Sequence, residues 1–272
     1  MPRYILVHST ASTNSYLSKM AMMLPGGTVI HTPEQTAGRG QKGNTWESET
    51  GKNVIFSMLL KKPMVPVANQ FYISEAVSVA IVEVLSQYMD GFSIKWPNDI
   101  YHDDRKVCGI LIEHSIMGSS INHSILGVGI NVNQTEFKSG APNPVSLAQL
   151  LDRDVDVDDV LHRVCEAIEK RCAFDAYTND AFDALHNEYL SLLYRKDGET
   201  PELPPHFVLY TSADGINWDE GIYICEYGNQ SAYYSNNLVI NNDDGSQKVL
   251  IQSSVPYDGG RVNVCHWFLD IK

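Results

Sequence analysis

Along the first two thirds of the chain, apolar residues recur in two rhythms. Short runs rich in Val, Ile and Leu are bounded by Gly, Pro, Asn or Asp and predict strands: "TVIHT" at residues 28–32, "KNVIFSMLL" at 52–60, "FSIKW" at 92–96, "KVCGILIEHSI" at 106–116 and "HSILGVGINVN" at 123–133. In "FYISEAVSVAIVEVLSQYM", Ile73, Ala76, Val77, Ala80, Ile81, Val84 and Leu85 repeat at helical spacing, the period of a helix with a buried face. Leu161, Val164, Cys165, Ile168 and Cys172 repeat it in a second helix. Five aspartates at residues 152–159 precede that helix, where carboxylates cap free N–H groups; the run lacks the central Gly and closing Glu of a calcium-binding EF-hand loop. The last three strand runs follow one another closely, which predicts hairpins. The fold class expected is therefore α+β, with a mixed, mainly antiparallel sheet flanked by helices.

Around residues 194–207 the composition shifts to Pro, Gly and charge, the mark of a linker. Downstream, "FVLYTSADGINWDE", "GIYICEYG", "NNLVINNDDGSQKVLIQSS" and "RVNVCHWFLDI" alternate β-rich pieces with Asn, Asp and Gly turns. Two domains are expected, at 1–195 and 196–272, the second a small all-β module.

Bulk composition narrows the partners. With 272 residues, 43% hydrophobic and 19% charged, the chain has the make-up of a globular protein. A formal charge of -13 and no long basic run argue against a nucleic-acid partner. Five cysteines without a CxxC pair fit reduced thiols better than a disulfide framework or a zinc knuckle. No apolar segment is long enough to span a bilayer, so no membrane partner and a cytoplasmic location are expected.

Three stretches carry candidate chemistry. In "TPEQTAGRGQKGNTWES", residues 32–48, Gly38, Gly40 and Gly43 leave backbone N–H groups open to a ligand while Arg39 and Lys42 supply positive charge. That suits an anion, and equally suits a supple surface loop; it is neither a Walker loop nor GxGxxG opening a helix. In "IKWPNDIYHDDRKVCGILIE", Pro97, Asn98 and Asp99 mark a turn with Lys95 and Lys106 near its two edges, placed to converge on a ligand or to form a solvated hairpin. In "GVGINVN", Gly127 and Gly129 interrupt a strand, which marks either a bulge or a close approach. Ser12, Thr13 and Asn14 precede an apolar helix-like run and are N-cap candidates.

Taken together and in order, "STNSYL", "EQTAGRGQKGNTW", "KWPNDIY", "RKVCGILIE" and "GVGINVN" resemble the biotin protein ligase family across residues 5–195. The resemblance implies a ligase that joins biotin to ATP as biotinyl-5'-AMP and passes biotin to one lysine of a biotin carboxyl carrier domain. It implies a class II synthetase-like catalytic domain, with biotin and Mg-ATP as substrates, no permanently bound cofactor, and a monomer or homodimer. Ser12, Thr13, Asn14 and Gln35 then lie where the family binds biotin's ureido end, and Gly38, Gly40, Gly109, Gly127 and Gly129 lie where backbone approaches ligand. Arg39 and Lys106 match the cations beside the reacting carboxylate and α-phosphate and are the expected catalytic residues. Gln41, Trp46, Asn98, Asp99 and Asn131 fall to the nucleotide, with Trp46 beside the adenine. The metal ligands are not assigned. The loop is expected to admit the substrates and then order over the adenylate.

Three departures accompany the resemblance. At Gln41 many relatives have a second arginine. Residues 1–7 lead almost directly into the STN motif, which argues against a preceding DNA-binding repressor domain, and the tail after Arg195 does not match the family's usual SH3-like barrel, faintly resembling discoidin-type strands instead. The alternatives are a lipoate ligase of the same fold and a non-catalytic ligand- or sugar-binding protein.

Overall fold

The computed structural model describes residues 2–41, 44–118, 120–138 and 143–194, and beyond them the backbone of five strands. Lys42 and Gly43 of the glycine loop lie outside the described residues, as do the side chains of Cys225 and Cys265. The chain divides into two compact units, Met1–Tyr194 and Arg195–Lys272.

The first unit runs β1 (Arg3–Leu6), α1 (Thr13–Met20), β2 (Thr28–His31), β3 (Gly38–Arg39), β4 (Thr45–Trp46), β5 (Val54–Lys61), α2 (Phe71–Leu85), β6 (Phe92–Lys95), β7 (Asp99–His102), β8 (Arg105–Met117), β9 (Ser120–Ile130), α3 (Leu147–Leu151), α4 (Val157–Arg171) and α5 (Asn179–Ser191). Seven strands form one sheet in the order β1-β2-β5-β9-β8-β7-β6. Its edge pair β1–β2 is parallel and every other neighbouring pair is antiparallel. The sheet is the mixed, mainly antiparallel one that the strand spacing predicts, with β1 and β7 added to it and the β3–β4 hairpin, α3 and α5 added beside it; Asp99, expected in a turn, starts β7.

Sheet and helices meet through alternation. Val29, Phe56, Met58, Ile110, Leu126 and Val128 point to one face and form the main core with α2, α4 and α5. Surrounded in this way, α2 buries nearly its whole circumference, including Glu75 and Ser78, which is why its sequence lacks a polar face. By contrast α4 is amphipathic and buries only Val160, Leu161, Val164, Cys165 and Ile168. The aspartate run starts it as predicted: the Asp156 side chain accepts from the backbone N–H groups of Asp158 and Asp159 at 2.9 and 3.1 Å. Cys108, Cys165 and Cys172 are free and buried, and burial pushes each thiol well above its ordinary range.

The opposite sheet face is covered only in part. There α1 lays Leu17 and Ala21 on Ile30, Leu59 and Ile125. Toward β8 the same face presents Ser57, Gly127, Gly129 and Gly109, small residues in neighbouring positions on three strands.

In the second unit β10 (Phe207–Leu209) pairs antiparallel with β11 (Ile222–Cys225). A separate antiparallel meander joins β12 (Ser235–Asn241), β13 (Gln247–Tyr257) and β14 (Arg261–Ile271).

Candidate active site

Gly109 on β8 lies directly opposite Gly129 on β9, and Leu111 opposite Gly127. Two facing glycines remove both side chains from one rung and leave a trough in the sheet. The Trp46 indole fills it. A Cβ on Gly129 would come within 2.4 Å of the ring, and one on Gly109 within 2.8 Å, so only glycine admits the indole at these positions. The indole N–H is buried and meets no hydrogen-bond partner among the described residues. At the next rung a Cβ on Gly127 would strike the Asn14 carboxamide at 2.2 Å.

Lys106 reaches the trough through a register change. Ile100 pairs with Cys108 but Tyr101 pairs with Lys106, so β8 holds one extra residue, Val107, between these rungs. Strict alternation would send Lys106 to the core face with Cys108; the bulge turns it to the face of Gly109 instead. There its ammonium pairs with Asp99 at 2.7 Å and stands 5.7 Å from the centroid of a Trp46 ring. Lys95 does not join it, because its ammonium bonds the Tyr101 hydroxyl at 3.1 Å.

At the far end of the trough, Arg39 closes on Glu113 through two parallel hydrogen bonds of 3.0 and 2.7 Å. Glu113 is itself held by the Asn14 side-chain amide at 2.8 Å, which also donates to the Leu111 carbonyl at 3.1 Å. Ser57 donates toward Asn14 and lies within hydrogen-bond reach of Thr13. Gln35 accepts from the Thr13 backbone N–H at 2.9 Å, and the Ser12 hydroxyl caps α1. Gly38 is pressed between the Trp46 carbonyl and Gln35, where a Cβ would come within 2.4 and 2.7 Å. Gly40 takes a 2.7 Å hydrogen bond from its N–H to the Asn44 carbonyl, closing the turn of the β3–β4 hairpin. The first helical turn, the loop and three strands thus share one polar network.

The remaining predicted residues serve the frame. Asn98 clamps the turn to β8, donating from its side chain to the Ile110 carbonyl at 2.8 Å while its own carbonyl accepts from the Ile110 N–H at 2.8 Å. Asn131 is buried and donates to the Val145 carbonyl at 3.2 Å and the Lys106 carbonyl at 3.4 Å, tying the backbone of Lys106 to the segment before α3. Gln41 and Asn98 also reach the wall of a cavity of about 210 Å³ between α2 and β8, lined by Phe71, Ser74, Trp96, Ile112 and His114. Ile110, Ile112 and His114 alternate with Gly109 and Glu113, so this cavity lies across the sheet from the trough. Burial lowers the His114 pKa and leaves a neutral ring, whose Nδ1 meets the Ser124 hydroxyl at 2.8 Å.

Sequence reading missed Glu113 and Ser57. A glutamate in the apolar run "GILIEH", two alternations from Gly109 on the same face, was the available signal for the first. It also missed Asn53 and Gln134, a buried amide pair at 2.6 Å that anchors the segment after Trp46 to the end of β9 through the Glu49 N–H. Among the described residues, no group of three or more His, Cys, Asp or Glu side chains is placed to hold a metal ion.

The arrangement supplies an apolar trough floored by glycine, one cation at each end, and a loop that crosses it. A family model described as the biotin/lipoate A/B protein ligase family matches residues 6–131. The bifunctional ligase/repressor BirA of Escherichia coli is 38% identical over 103 residues, covering 38% of this chain and 32% of that protein. The biotin–[acetyl-CoA-carboxylase] ligase of Paracoccus denitrificans is 28% identical over 190 residues, covering 67% of this chain and 77% of that one. A solved structure, the biotin protein ligase of Aquifex aeolicus in complex with biotin and ATP, matches with a TM-score of 0.62 at 23% identity, over 98% of this chain and 100% of that one. The chain spans about a third of the Escherichia coli protein's length, 32%. Residues 6–131 are therefore similar in sequence to the biotin/lipoate A/B protein ligase family, and the fold is that of the biotin protein ligase structure.

Proposed function

We propose that the protein activates biotin with ATP and transfers the biotinyl group to a lysine of a biotin carboxyl carrier domain. The observation that carries this reading is the bulge that lifts the Lys106 ammonium to the edge of the glycine trough beside Asp99. A carboxylate and a triphosphate repel each other, so their reaction needs a fixed cation where charge gathers on the α-phosphorus. Lys106 is assigned that role. The Trp46 indole seated in the trough suits the flat face of a ligand ring, and Ser12, Thr13 and Gln35 at its head suit the neutral ureido group of biotin.

In the first step a biotin carboxylate oxygen attacks the α-phosphorus and pyrophosphate leaves. In the second, the acceptor amine attacks the acyl carbon and AMP leaves. Arg39 is assigned to the carboxylate and the adenylate phosphate, and Trp46 to the ligand's ring faces. Asn98 and Asn131 act as positioning residues, the first holding the turn that carries Asp99, the second holding Lys106. A mixed anhydride must be kept from water, and the β3–β4 hairpin is the element placed to cover it. The partner is a biotin carboxyl carrier domain, the metal is the magnesium of Mg-ATP, and the compartment is the cytoplasm; no helix among the described residues is long and apolar enough to cross a membrane.

The matched family spans biotin and lipoate ligases, so the test must separate them. ATP–pyrophosphate exchange is measured with biotin, with lipoate and with neither. Stimulation by biotin supports the reading, stimulation by lipoate replaces the substrate, and exchange with neither leaves a binding protein.

A further inference from the structure

The two cations assigned to one acyl phosphate are held apart. Lys106 stands beside Gly109, whereas Arg39 is fixed on Glu113. Four residues of extended strand separate Gly109 from Glu113, about 13 Å at the usual rise. For Arg39 to act at the phosphorus beside Lys106, its guanidinium must leave Glu113.

We propose that Glu113 is a built-in competitor for the ligand's carboxylate: it is the resting partner of Arg39, and a ligand recruits the guanidinium only by offering an anion of its own. This rests on the biotin-activating reading above and adds to it a residue that tunes specificity. Three observations carry it. The Arg39–Glu113 contact has the two-pronged geometry that a guanidinium makes with any free carboxylate. Both side chains remain well exposed, 44% for Arg39 and 38% for Glu113, so the pair is weak enough to exchange. Glu113, however, is not free to follow Arg39, because buried Asn14 anchors it to the sheet.

A consequence follows for catalysis. An arginine already paired with Glu113 contributes little to ground-state binding of the acid. It contributes fully once charge builds on the phosphorus, which is where an interaction accelerates the step.

The experiment is calorimetric titration of biotin and of uncharged biotinamide into the wild-type protein, Glu113→Gln, Arg39→Gln and the double variant. Glu113→Gln keeps the shape and removes the charge. It should tighten biotin by about three- to fivefold while leaving biotinamide within about twofold, the upper part of the range expected for freeing one exposed ion pair. In the Arg39→Gln background the Glu113→Gln change should have no effect on either ligand. Equal shifts for acid and amide, weaker biotin binding, or an unchanged effect without Arg39 each overturn the proposal. A folding defect would move both ligands together and so could not imitate the acid-only response. Failure of biotin to bind the wild-type protein would instead overturn the substrate assignment, and this proposal with it.

Discussion

The Trp46 indole lies so close to Gly129 that a Cβ on that glycine would come within 2.4 Å of the ring. Indole and trough are therefore a matched pair, and adding one methyl group tests the match. Gly129→Ala should expel Trp46, shifting its fluorescence, and should displace the ring surface assigned to the ligand. Biotin-dependent pyrophosphate exchange should fall by about tenfold or more, the usual consequence of misplacing reacting groups by about an ångström. The same substitution made in a Trp46→Phe background should leave the emission unchanged. An active Gly129→Ala enzyme would place the ligand elsewhere.

Lys106 and Arg39 should both matter for the chemical step. Lys106→Ala removes the ammonium that Asp99 holds at 2.7 Å and should cost roughly 3 kcal/mol of transition-state stabilisation, by comparison with lost oxyanion donors. Arg39→Ala should cost a similar roughly 3 kcal/mol in kcat/KM for exchange. Rates within about tenfold of wild type for either variant would remove that residue from the chemistry.

Much of this site could be read before any coordinates. The strand runs, the α2 period and the aspartate cap of α4 rest on local alternation and capping, and each formed as its pattern dictates. Glycines in a strand left a bulge or a close approach open, and they meet a close approach, from Trp46 at Gly109 and Gly129 and from Asn14 at Gly127. What was hidden is non-local. Counting residues places Lys106 on the core face, and only pairing with β7 reveals the bulge at Val107 that reverses it. Glu113 gave a signal as a charge in an apolar strand, but its partner lies 74 positions away, and periodicity carries no information at that range. The frame role of Asn131 was hidden for the same reason: an amide just past the end of a strand looks alike whether it faces a ligand or a distant carbonyl.

Asn131 distinguishes frame from ligand contact. Its buried amide satisfies the Val145 carbonyl and reaches the Lys106 carbonyl, so Asn131→Ala leaves the Val145 carbonyl without that donor, while the Lys106 carbonyl keeps the Val145 N–H at 2.9 Å. Such a loss costs about 1–3 kcal/mol of stability. Urea unfolding should show it, and exchange should fall through kcat as Lys106 loosens. A variant of unchanged stability with a raised KM for ATP would make Asn131 a nucleotide ligand instead.

Glu75 supplies a pH test that is independent of the site. It is 2% exposed, its Oε1 meets His186 Nδ1 at 2.7 Å, and its Oε2 has no hydrogen-bond partner among the described residues. Burial raises its pKa from the ordinary 4.5, with the hydrogen bond and charge of His186 opposing the shift. The sign follows from which state holds the proton. As pH climbs past 4.5 the unfolded chain releases the Glu75 proton while the folded protein retains it, so stability falls with rising pH until the folded value is passed. The contribution is complete below the unfolded pKa and is lost above the folded one. Glu75→Gln removes this titration and keeps the side chain's size. Urea unfolding of both proteins from about pH 4 to about pH 8 should show the stability difference moving in favour of the glutamine variant as pH rises. If the two curves run parallel across that range, α2 and α5 tolerate the ionised carboxylate, and His186 rather than burial governs the pair.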